Sequence, residues 1–181
     1  MDITSGMLVA IMFVVLLTIG IGNIIMSLAS MVDRRSPVRA SGLHITWVVL
    51  LLLVYLGFFW HTIDVLSVDE WEFFAFLYVI LGPILIIFAS QVLLPNPSDD
   101  GSVDLNEFYF DVSRPFFIFL AASQIWVNGV DLILRDGLTP EGGLNGVVCA
   151  LALVLAFSRN VKVHWMLTGV VWILFLVKWL I

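Results

Sequence analysis

Six long apolar stretches take up most of this 181-residue chain, and they fix its solvent before any motif is considered. They run over Gly6–Met31, Leu43–Ile63, Glu72–Leu94, Ser113–Arg135, Gly143–Ser158 and Val161–Ile181. Crossing ~30 Å of hydrocarbon at ~1.5 Å rise per residue takes about 20 apolar residues, and all but the fifth stretch reach that length. A water-soluble helix has one polar and one apolar face, whereas these are apolar nearly all round. The expected fold is all-α: a polytopic membrane protein with a bundle of about six transmembrane helices plus a short interfacial amphipathic helix. All of it forms one transmembrane domain over residues 1–181.

Composition excludes several classes of function. Hydrophobic residues make up 61% of the chain and charged residues 12%, with mean hydropathy +1.10. Roughly 45–50 residues remain outside the bilayer, split among short loops, too few for a soluble catalytic or nucleic-acid-binding domain. The net charge of −6 points the same way, since phosphate binding requires clustered Lys and Arg, so nucleic acid is not an expected partner. The one cysteine, Cys149, lies in an apolar run and reads as a buried small hydrophobe. No cofactor and no metal centre are expected. The first stretch lacks a basic leader and is longer than a signal-peptide core, so it reads as a retained span.

The basic residues suggest an orientation. With six spans, Arg34, Arg35, Arg39, Arg114, Arg159 and Lys162 fall on one side, and Arg135 and Lys178 on the other. The positive-inside rule then places both termini on the non-cytoplasmic side. The fifth stretch is short and opens at Gly142-Gly143, so a re-entrant course is an alternative to a full crossing. Trp47, Trp60, Trp71, Trp165 and Trp179 fall near span ends, as interfacial anchors do, whereas Trp126 and Trp172 lie deeper and read as packing residues.

Pro95–Ser102 is the one linker-like stretch and divides the spans three and three, an arrangement shared by inverted-repeat transporters. Two D-x-x-E capping boxes are expected, Asp69 with Glu72 and Asp104 with Glu107. After the second, Leu105, Phe108, Tyr109 and Val112 share one helical face, which predicts a short amphipathic helix on the membrane surface before Pro115. Pro83 stands in the middle of the third span, where it should kink the helix and free a carbonyl for a neighbour to satisfy.

Polar groups are costly in a bilayer, so their placement carries the functional reading. Gln124, Asn128, Asp131 and Arg135 are spaced by four, three and four residues and share one face of the fourth span. They read either as a polar track for an ion or small polar solute or as interhelical hydrogen bonding, with Asp131 and Arg135 paired near the outer boundary. In the first span Gly20, Asn23, Ser27 and Ser30 share a face whose small residues allow close helix packing, and Asn23 alternatively lines a cavity. His44, His61 and His164 lie at span ends and read as interfacial histidines. A haem-type pairing of His44 with His164, or an acid–base pairing of His61 with Asp64, is the alternative. No zinc-protease, nucleophile-elbow, P-loop, dinucleotide or CxxC motif is present.

The leading expectation is a small channel or carrier for an ion or small polar solute, one that would suit a homo-oligomer embedded in the lipid bilayer. The alternatives are a non-catalytic scaffold, accessory subunit or assembly factor, and a membrane-embedded lipid or quinone enzyme. The overall look is similar to that of small bacterial inner-membrane proteins.

Overall fold

The computed structural model describes residues 4–32, 39–66, 68, 71–95, 104–134 and 140–180. In chain order the elements are α1 (Ser5–Val32), α2 (Gly42–Trp60), the short α3 (Thr62–Leu66), α4 (Phe73–Leu93), α5 (Leu105–Leu134), α6 (Pro140–Phe157) and α7 (Val161–Leu180). Hydrocarbon offers backbone groups no partners, so each apolar stretch closes its own hydrogen bonds as a helix. Among the described residues no strand forms, and Arg39 and Asp104 make an isolated bridge. Five helices are long and apolar enough to cross a membrane, and Gly142–Phe157 is a shorter apolar helix. The chain is an all-α membrane protein.

Successive long helices run in opposite directions. Asn145 at the start of α6 bonds Asn128 near the end of α5, and His164 at the start of α7 bonds Tyr109 near the start of α5. α6 therefore returns along α5 for the length of the bundle, although its 18 residues rise only ~27 Å. α2 is central and touches α1, α4, α5 and α7, while α7 packs on α6 and α2.

Where every face is apolar, hydrophobicity cannot choose the inward one; shape does. On α1 the buried residues Val9, Ala10, Phe13, Leu17, Gly20, Ile24 and Ser27 follow helical spacing, and Leu8, Ile11, Val15, Ile19 and Met26 face outward. Gly20 admits the ring of Tyr55, which a Cβ would strike. Ser30 sits in the last turn of α1, and its side chain lies outside the described residues. Between α4 and α5 the fit is reciprocal. The Trp126 ring covers Gly82, and the Tyr78 hydroxyl covers Gly129. Trp126 Nε1 donates to the Tyr78 carbonyl at 2.6 Å, and the Tyr78 hydroxyl donates to the Trp126 carbonyl at 3.3 Å. Pro83 lies inside a continuous α4. The interhelical donor reaches Tyr78, one residue before the carbonyl that a proline at 83 leaves free.

Four details differ from the sequence reading. The amphipathic segment and the fourth span are one helix that runs through Pro115. Its apolar face is covered by protein: Leu105 and Tyr109 are buried, because the first turns of α5 pack against the starts of α2 and α7. The cap at Asp104 forms, with its Oδ1 accepting from Asn106 N at 2.9 Å. At the other expected box the chain is still extended at Glu72 (φ −74°, ψ 144°), so α4 starts one residue later with Glu72 as its N-cap; Asp69 lies outside the described residues. Trp47 is no interfacial anchor. It is buried among Phe116, Phe117 and Thr168, nearly two turns below the Ser41 cap of α2.

Candidate functional site

One end of the bundle is sealed. His44 and His164 lie there, and each ends a neighbouring helix by occupying a carbonyl that has no intrahelical donor. His44 Nε2 donates to Leu93 O at 2.8 Å, in the last turn of α4. His164 Nε2 donates to Ser158 O at 3.0 Å, just beyond α6. With that proton on Nε2, His164 Nδ1 accepts from the Tyr109 hydroxyl at 2.7 Å. Trp47 Nε1 donates to Thr168 Oγ1 at 3.0 Å. Phe116, Phe117 and Tyr109, all fully buried, fill the space between these bonds with edge-to-face contacts to Trp47 and His164.

The two histidines thus act as separate helix caps and not as a facing pair, with Phe108 against one and Tyr109, Phe110 and Phe117 against the other. Among the described residues no three His, Cys, Asp or Glu side chains converge on a point where a metal ion would sit.

Above this seal a cavity of about 180 Å³ lies inside the bundle. Its floor and walls include Trp47, Leu50, Leu51, Phe116, Leu120, Val127, Val171 and Leu174. The opposite end holds its polar groups: His61, Asp64, Asp131, Asn145 and Lys178. Gln124 stands between, two turns or ~10 Å below Asp131 along α5. From Trp47 to His61 the lining follows α2 for ~21 Å. At the mouth His61 Nδ1 and Asp64 Oδ2 are 3.1 Å apart, and both side chains are about half-exposed. A line of amides ties three helices together. Lys178 Nζ donates to Asn145 Oδ1 at 3.1 Å, Asn145 Nδ2 to Asn128 Oδ1 at 3.0 Å, and Asn128 Nδ2 to Gly142 O at 3.3 Å.

The polar stripe of α5 therefore divides. Gln124 and Asp131 line the cavity, whereas Asn128 turns to α6 and joins the amide line. Arg135, and with it the expected pair with Asp131, lies outside the described residues. Asn23 is half-buried on α1 and is not part of the cavity wall, and Gly20 and Ser27 are buried on the packing face. The His61–Asp64 contact is present. Sequence reasoning passes over Asn145 and gives Lys178 no partner within the bundle. Their signal was available: an amide in an apolar helix and an ammonium near the end of a span both need partners at membrane depth.

No known protein family matches the chain, and no curated protein or solved structure is similar to it.

Proposed function

We propose that the protein is a small carrier that admits a solute into its bundle from one end. The observation that supports this is the one-sided cavity, with a polar mouth, an apolar interior and an aromatic seal below. Bundle interiors between helices are common ligand sites, and convergent polar groups at one point of an apolar pocket orient what binds there. An open ion channel has less support, because the lower walls offer an ion no row of carbonyls or carboxylates.

Arg39, Arg114, Arg159 and Lys162 all belong to the sealed end, so the positive-inside rule makes that end cytoplasmic and turns the mouth outward. Release to the other side requires the seal to part. α7 is bound there by two side-chain bonds, Trp47–Thr168 and Tyr109–His164, so its outward tilt is the smallest motion that would open it. The accessory-subunit reading, drawn from the short loops, the small-residue face of α1 and the amphipathic 105–112 segment, has less support, because the α1 face and that segment pack within this chain's own bundle.

Cysteine labelling tests the carrier. In a Cys149→Ala background reconstituted in vesicles, Gln124→Cys should react with a membrane-impermeant maleimide from the mouth side. Thr168→Cys should react, more slowly, from the other side. Labelling at 124 with none at 168 from either face would reduce the protein to a static binder. No labelling at 124 would remove the open cavity.

A further inference from the structure

Resting on the same cavity, we infer that its occupant is a single-chain amphiphile: one hydrocarbon tail on an uncharged hydrogen-bonding head. A volume of about 180 Å³ drawn out over ~21 Å is a slot and not a chamber. It suits a chain better than a ring system or a hydrated solute. The lower half presents Trp47, Leu50, Leu51, Phe116, Leu120 and Val171 to whatever enters. Water there would find few partners, and a tail that displaced it would gain in proportion to the apolar surface it covers.

The head is fixed by what lies higher. Gln124 makes one long hydrogen bond, to Ser123 Oγ at 3.4 Å, and its amide borders the slot. It can both donate and accept. The mouth carries both signs, with Asp64 and Asp131 against Lys178, and His61 and Lys178 already engage Asp64 and Asn145. A charged head drawn down to Gln124 would leave water among apolar walls about two turns below the charged groups of the mouth, whereas a hydroxyl or amide head bonds an amide that both donates and accepts. The tail has two sources, a free amphiphile entering by the mouth or one chain of a bilayer phospholipid entering between helices.

Native mass spectrometry of the full chain, released from phosphatidylcholine nanodiscs that avoid single-chain detergent, separates these sources. The probes are dodecanol, dodecanoate and dodecylammonium, each equilibrated with the discs. One dodecanol per chain should be retained, and retention should fall about tenfold or more in Leu120→Trp, which fills the slot. Val171→Phe serves the same purpose should Leu120→Trp fail to fold, with thermal unfolding as the check. A stoichiometric phosphatidylcholine adduct in place of dodecanol would reassign the slot to a membrane lipid. Dodecanoate or dodecylammonium held as tightly as dodecanol would overturn the neutral head, and equal retention of dodecanol by the filled variants would overturn the site. Binding requires no transport. Dodecanol bound with Thr168→Cys unlabelled leaves this inference standing and removes the carrier, and the reverse result does the opposite.

Discussion

The contact between Gly82 and Trp126 gives the sharpest test of how this bundle holds together. The indole lies where a Cβ on residue 82 would sit, so Gly82→Ala forces the ring or a helix to move. Overpacking of that kind costs about 1–3 kcal/mol. Alanine returns about 1 kcal/mol through its better helix propensity. The net expectation is a loss of up to about 2 kcal/mol in the native background.

Trp126→Leu removes the ring and the 2.6 Å bond from Nε1 to the Tyr78 carbonyl. It also removes the stack on Phe58, whose ring centroid is 5.4 Å away. Interhelical hydrogen bonds in membranes contribute about 0.6–2 kcal/mol, so with the lost packing the single change should cost about 2–4 kcal/mol. In that background Gly82→Ala meets no ring and should stabilise by about 1 kcal/mol. The coupling between the two sites is then about 1–3 kcal/mol, where simple addition predicts none. Equilibrium unfolding in mixed micelles of dodecyl maltoside and dodecyl sulfate, followed by far-ultraviolet circular dichroism, measures all four corners of the cycle. Equal costs for Gly82→Ala with and without the indole, within about 0.5 kcal/mol, would show that shape does not choose this interface.

Other outcomes separate packing from function. Asn128→Leu should lower stability by about 1–2 kcal/mol in the same unfolding assay, because it takes the acceptor from Nδ2 of Asn145, which is 2% exposed. Gln124→Leu should leave stability within about 0.5 kcal/mol while weakening dodecanol retention. Tyr109→Phe takes the donor from His164 Nδ1 and should cost about 1–2 kcal/mol, with faster hydrogen exchange in the first turns of α7. Asp131→Asn should change solute uptake in vesicles without unfolding the protein, and unchanged uptake would take Asp131 out of the pathway.

The sequence made the architecture legible because bilayer thickness sets a length that apolar residues must match, and α1, α2, α4, α5 and α7 match it. It was less clear about faces. Gly20 and Ser27 could be assigned to packing, since small residues on one helical face imply a close neighbour. Trp47 was misplaced because nearness to a span end resembles an interfacial anchor, and only the partner helices reveal the covering Phe116 and Phe117. The segment after Asp104 was placed on the lipid surface for a similar reason: an amphipathic face states that something apolar covers it, and here protein does so. In α5 the spacing of four and three puts Gln124, Asn128 and Asp131 on one side of a helix. It could not say that Asn128 turns to Asn145 while its neighbours turn to a space.

That space has a physical origin, and it yields one more test. Elsewhere the bundle is filled by rings: Trp126 over Gly82, Tyr55 over Gly20, and Phe116 and Phe117 against Trp47. Along the slot the facing residues of α5 and α7 include Leu120, Val127, Val171 and Leu174, mid-sized side chains with no glycine notch to pull the helices together. Rings such as Trp47, Phe58, Phe116 and Phe175 border the cavity, and the space persists between them and these mid-sized side chains. Filling it should then strengthen the fold. Val171, only 7% exposed, can grow inward, so Val171→Phe should raise stability by about 0.5–2 kcal/mol and abolish dodecanol retention. Stability and binding moving in opposite directions is the signature of a space maintained for an occupant. A Val171→Phe protein that loses both would mean that the walls cannot take a ring and that the slot is only a by-product of how α7 packs.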